Sequence, residues 1–223
     1  QAMSQWGIHS NGMEIIYIAV DSGYFDSETV VPHEFQHLLY QERHGFAATY
    51  WDYHNEGLSE AAVRLVNGFH PWAVDYYFGD YQGMIGDGLS MVNWNYALYE
   101  NYVVAYMFWN YVAGQLGDDD SLTDIFNLPS GSPSEVDDLL EQSLGLSMND
   151  VQLNQLVATW VQEDEGLYSY NDNITNFPGN ARPPRVSAGT QSIDLEPFAG
   201  LYFELDADEV SYPGTEGDHI VYV

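Results

Sequence analysis

The 223-residue chain contains no cysteine, no lysine and only four arginines. Without cysteine it can form neither disulfides nor thiolate metal sites, so any metal must rest on histidine, carboxylate or carbonyl ligands. With so few cations and a formal net charge of −30, it lacks the basic footprint that nucleic-acid binding requires. Docking on anionic lipid surfaces is disfavoured for the same reason. No apolar stretch approaches the length needed to span a bilayer, so no membrane partner is expected. The missing lysines fit an adaptation to high salt, although 17% charged residues is modest for a strongly halophilic surface. The chain opens at Gln1 with neither a signal segment nor an initiator methionine, and so reads as a mature product or an excised fragment. An acidic, tyrosine-rich, cysteine-free composition is compatible with secretion.

What the chain does contain is enough apolar material for a packed core: 45% hydrophobic residues, including 18 tyrosines and 6 tryptophans. Glu14 to Val20 (EIIYIAV) follows an Asn11-Gly12 turn signal and reads as a strand. A helix is predicted from about Ser27 to Gly45, with Pro32 in its first turn and Val31, Phe35, Leu38 and Leu39 on one face. A second is predicted from Asn55 to Asn67. A loop-rich stretch carrying Gly79, Gly83, Gly86 and Gly88 follows. A third helix, from Tyr96 to Leu116, is closed by Gly117. The GDDDSLTD segment supplies caps for a short helix, and Glu135 to Leu144 and Met148 to Gln162 read as two more. Helical periodicity stops at Asn180-Ala181-Arg182-Pro183-Pro184. SIDLEPFAGLYFEL and HIVYV beyond it alternate like strands. This divides the chain into a main domain, 1–182, and an accessory β segment, 183–223.

The chemistry concentrates between Val30 and Ala62. His33-Glu34-Phe35-Gln36-His37 is a His-Glu-x-x-His motif. Residues four apart share a helix face, so His33 and His37 can point two imidazoles at one ion, with Glu34 beside them to deprotonate an attacking water. A catalytic zinc takes three protein ligands, so a third is needed. The metzincin pattern fails: its glycine and third-histidine positions are Tyr40 and Arg43. His44 comes one place too late, roughly 10 Å along the axis from His37. Beyond eighteen intervening residues after His37 stands Glu56, in Asn55-Glu56-Gly57-Leu58-Ser59-Glu60.

This pairing of HEFQH with NEGLSE resembles the gluzincin zinc metallopeptidases. The Asn-Glu-Gly triplet and the spacing are most similar to their aminopeptidase branch. The longer motif is similar to thermolysin-like and hyicolysin-type secreted enzymes. The likeness is strong from Glu14 to Ala62, moderate over the Tyr96–Gly117 helix and absent elsewhere. It implies an α+β fold: a mostly helical, thermolysin-like catalytic domain with a small sheet. It implies Zn2+ held by His33, His37 and Glu56, with Glu34 as general base. Glu60 would be the carboxylate that orients a ligand histidine. It also implies a hydrogen-bond donor for the oxyanion, which aligns with Tyr102, or else with Tyr99.

The expected activity is hydrolysis of a peptide or protein substrate. Gly12-Met13-Glu14 resembles the amino-end grip of the aminopeptidases, but Ile15 replaces its asparagine. An endopeptidase is therefore favoured over an aminopeptidase. A non-catalytic binding or cell-surface module on the same scaffold is the alternative from another class. Asp118, Asp119, Asp120 and Asp124 offer Ca2+ ligands, but their spacing misses the EF-hand loop, and a solvated cap is the plainer reading. His9, His70 and His219 read as surface or core histidines, and His54 as a residue that can line the cleft.

Overall fold

The computed structural model describes residues 27–45, 49–78, 88–96, 98–117, 119–175, 177, 186–187 and 195–204. Seven helices run in order through them: α1 (Ser27–His44), α2 (Asp52–Asn67), α3 (Ala73–Phe78), α4 (Tyr99–Leu116), α5 (Ser121–Phe126), α6 (Pro133–Leu144) and α7 (Met148–Val161). The expected α+β architecture is overturned: the described residues are helical and contain no sheet able to form a lobe. Among the described residues extended pairing amounts to two residues on each side, Val186–Ser187 parallel to Phe203–Glu204, and one antiparallel bridge between Ser90 and Ala199. Within SIDLEPFAGLYFEL the described part is broken by Pro197, a positive φ of 54° at Phe198, and Gly200, so pairing is confined to Ala199 and to Phe203–Glu204. It is instead pinned on the helices. Phe198 O accepts from Met91 N at 2.9 Å and from Gln152 Nε2 at 2.8 Å, and Tyr202 OH donates to Leu156 O at 2.8 Å. The predicted Glu14–Val20 strand, the Gly12-Met13-Glu14 match, the Asn180–Pro184 boundary and HIVYV lie outside the described residues.

Helix α2 is the axis of the molecule. From Tyr53 to Ala61 every residue is buried, as are Val63 and Arg64. It begins three residues earlier than the sequence suggested. Its first turn is held by the main chain: His54 N and Asn55 N both donate to Trp51 O. It ends where Gly68, at φ 81°, donates its N–H back to Arg64 O. Helix α4 is shorter than predicted, starting at Tyr99, and closes at Gly117 as expected. Helices α6 and α7 each start on a capping box, Ser132 with Glu135 and Ser147 with Asp150. The short helix α3 was not foreseen.

Two local solutions position the motif helices. Pro32 sits in the second turn of α1, not the first, and cannot donate to the carbonyl of Glu28. Asn67 Nδ2, at the end of α2, donates to that carbonyl at 2.7 Å. Where α2 crosses α4, Gly57 provides clearance: a Cβ there would lie 2.7 Å from Ala105 Cβ and 2.7 Å from Trp109 Cδ1. Trp109 stacks on Tyr53 with ring centroids 5.8 Å apart and donates Nε1 to Tyr53 O at 2.9 Å. The apolar face predicted for α1 does not turn inward. Phe35 is 50% exposed and Leu39 47%, while Thr29, Pro32, Gln36 and Tyr40 are buried. The reason is chemical. The side of α1 that meets α2 finds Glu56, Ser59 and Glu60 there, and only its polar residues can satisfy them.

Gly57→Ala is expected to cost about 1–3 kcal/mol by overpacking the α2–α4 crossing. Chemical denaturation of the variant against wild type measures this.

Candidate metal centre

His33 and His37 project from adjacent turns of α1, and Glu56 faces them from α2. Their ligand atoms converge. His33 Nε2 and His37 Nε2 are 3.1 Å apart, His37 Nε2 is 3.1 Å from Glu56 Oε2, and His33 Nε2 is 3.3 Å from the same oxygen. Among the described residues this is the one grouping of three such side chains able to hold a metal ion.

Each imidazole is oriented from behind. His33 Nδ1 is 3.1 Å from Glu60 Oε1, so its N–H donates there and Nε2 turns to the cluster. His37 Nδ1 is 3.1 Å from Ser59 Oγ, whose single proton faces two acceptors, Gln36 Oε1 at 2.5 Å and Asn55 O at 2.9 Å. Ser59 Oγ thus serves as acceptor for His37, again leaving Nε2 to face Glu56. Glu60 is itself held by His70 Nε2 at 2.6 Å and by Tyr99 OH at 3.4 Å.

The electrostatics follow. Burial alone would lower the pKa of His33, but hydrogen bonds to Glu56 and Glu60 outweigh it and push it up to about 10. Burial would raise both glutamates, yet the histidines draw each down to about 2. Burial, then the carboxylates of Glu56, Glu60 and Asp52, push Tyr102 up to about 12, so its phenol remains a hydrogen-bond donor.

The two tyrosine candidates separate. The Tyr102 ring lies 6.2 Å from that of His33, at the edge of the cluster. Tyr99 is held behind it, on Glu60. Glu34 is exposed on α1, one residue after His33 and three before His37. Beyond Tyr102, whose ring is 5.0 Å from that of Trp94, opens a cleft of about 560 Å³ lined by Tyr50, Trp51, Asp52, Trp94, Asn95 and Glu196, among others.

Other sequence candidates fall elsewhere. His54 does not line the cleft. It is fully buried, donates Nε2 to Ile125 O at 2.8 Å, and burial lowers its pKa to about 4. That makes it a tie between α2 and α5. Asp119 is engaged by Arg64, Asp118 lies outside the described residues, and Asp119, Asp120 and Asp124 form no ligand cluster among those described. His9 and His219 are also outside the described residues. Sequence reasoning missed Gln36, Ser59 and His70. Ser59 lies inside the NEGLSE motif, which was the available signal. His70 follows Glu60 by ten residues across a glycine turn, a separation with no local pattern to read.

A scan against known family models gives no match, and no curated protein matches the chain.

A cation entering this cluster must displace the proton that Glu56 and Glu60 stabilise on His33. Metal affinity should therefore rise with pH, up to about tenfold per unit between neutrality and pH 10, with release of about one proton on binding. Calorimetric titration in buffers of different ionisation enthalpy measures both.

Proposed function

We propose that the chain is a zinc-dependent peptidase of the gluzincin type acting as an endopeptidase. The observation that carries this reading is the triangle of His33 Nε2, His37 Nε2 and Glu56 Oε2, with sides of 3.1, 3.1 and 3.3 Å. Ligands at about 2.0–2.1 Å from a tetrahedral zinc stand about 3.3 Å apart, so this donor set suits that ion with little rearrangement. Two imidazoles and one carboxylate also leave a fourth position for chemistry, as hydrolytic zinc sites do.

Zinc, when bound, supplies Lewis-acid polarisation of the water and the scissile carbonyl. The remaining work belongs to side chains. Glu34, exposed on α1 directly after His33 in sequence, takes the proton of the attacking water and delivers it to the leaving amine. Tyr102 keeps its proton and donates a hydrogen bond to the developing oxyanion. Glu60 and Ser59 hold the ligand imidazoles in the tautomer that presents Nε2. The cleft beside Trp94 receives the substrate chain. Among the described residues its walls carry the carboxylates of Asp52 and Glu196 and no basic residue, so acidic side chains of a substrate lying in it are disfavoured. A chain without thiols and with a strongly acidic surface suits an extracellular enzyme.

Wild type should hold about one zinc and cleave a quenched peptide library, with acidic residues depleted around the cut. Glu34→Gln should keep the zinc and lose roughly 100- to 10,000-fold in kcat. Tyr102→Phe should lose roughly 100-fold or more with little change in zinc content. Full activity in Glu34→Gln would falsify the mechanism. Zinc without cleavage by wild type would favour a binding module on this scaffold, and preference for free amino ends would favour an aminopeptidase.

A further inference from the structure

Behind Glu60 lies a residue that the proposed mechanism does not use. His70 is fully buried between α2 and α3. Its Nδ1 is 3.0 Å from Ala73 N and 3.4 Å from Trp72 N. Both are N–H donors at the start of α3, so Nδ1 is the accepting nitrogen and the ring proton sits on Nε2. That N–H points at Glu60 Oε2, 2.6 Å away. The other oxygen of the same carboxylate, Oε1, takes Nδ1–H of His33. A directed chain results: the amides of α3 set the tautomer of His70, His70 fixes the rotation of the Glu60 carboxylate, and Glu60 sets which nitrogen His33 turns to the metal. Packing makes this geometry stiff. The His70 ring is 5.0 Å from that of Tyr106 and 5.9 Å from that of Trp72, and Tyr99 OH closes on Glu60 Oε2 from the side.

We propose that His70 is a positioning residue of the metal centre, acting through Glu60 to orient His33. The inference rests on the metal-site reading above. Carboxylates behind ligand histidines raise ligand basicity and restrict ring orientation, and disturbing them costs about 10- to 100-fold in metal affinity. His70 extends that control one residue further, to a loop that sequence places outside both motifs.

Two conservative variants separate this role from mere capping of α3. His70→Asn keeps an acceptor near the Nδ1 position and loses the donor to Glu60. His70→Gln keeps a donor near the Nε2 position and loses the acceptor. Zinc affinity, read by chelator competition on the full chain beside the melting temperature, should fall about 10- to 100-fold in His70→Asn. In His70→Gln it should stay within a few-fold of wild type even if Tm drops. In a Glu60→Ala background, His70→Asn should change affinity no further, because the route through the carboxylate is already gone. Wild-type affinity in a folded His70→Asn, or affinity that follows Tm across the two variants, overturns the inference while leaving the zinc reading intact. Wild type that takes up no zinc overturns both.

Discussion

Helix α2 is buried on nearly every side yet carries His54, Asn55, Glu56, Ser59, Glu60 and Arg64 into the interior. Buried polar and charged groups are costly unless paired, and that cost organises the molecule. His54 is matched by the carbonyl of Ile125, Ser59 by Gln36, Arg64 by Asp119, and the two glutamates by histidines. Ser59 and the two glutamates tie α2 to α1, His54 ties it to α5, Arg64 to the turn after α4, and Glu60 also to the loop before α3. Helix α1 docks through its histidine face because that side of the helix, unlike its apolar side, answers Glu56 and Glu60, so Phe35 and Leu39 are left outward. The centre that can bind a metal is thus also the contact that orients α1 on α2.

The same economy explains why the cluster is suited to a cation. Two carboxylates and two imidazoles are drawn together in a poorly solvated place, with a proton on His33 balancing part of the negative charge. A divalent ion is a stronger counter-charge than that proton and uses the same nitrogens. On α4, the clearance at Gly57 lets the helix approach closely enough for Tyr102 to stand at the edge of the cluster. The triplet glycine therefore acts through backbone approach between helices, and the tyrosine through what that approach makes reachable.

Much of this was legible in the residues. The His33–His37 spacing places two imidazoles on one helical face whatever surrounds it, and Gly117 after a long apolar run marks the end of α4. Glu56 and Glu60, one turn apart, had to share a side of their helix. The misses have physical causes as well. Apolar residues point to Val31, Phe35, Leu38 and Leu39 as the inward face of α1, but the partner surface is polar and reverses the outcome. The alternating pattern of SIDLEPFAGLYFEL suggested strands, yet Pro197, Phe198 and Gly200 deny it a regular ladder. Helix α2 starts at Asp52 because of main-chain bonds to Trp51, which carry no side-chain signature. His54 lies beside the motif in sequence and away from it in space, whereas His70 does the reverse.

The sequence by itself determined the ligand types, their helical spacing and the acidity of the chain, because these depend on residue identity and on the fixed geometry of a helix. Only the tertiary structure decided that the two motif helices meet at 3.1–3.3 Å between ligand atoms, and that Tyr102, not Tyr99, borders the cluster. It also decided that His70 reaches Glu60. Those outcomes depend on which buried polar group finds which partner across segments far apart in the chain, and no local pattern encodes that choice.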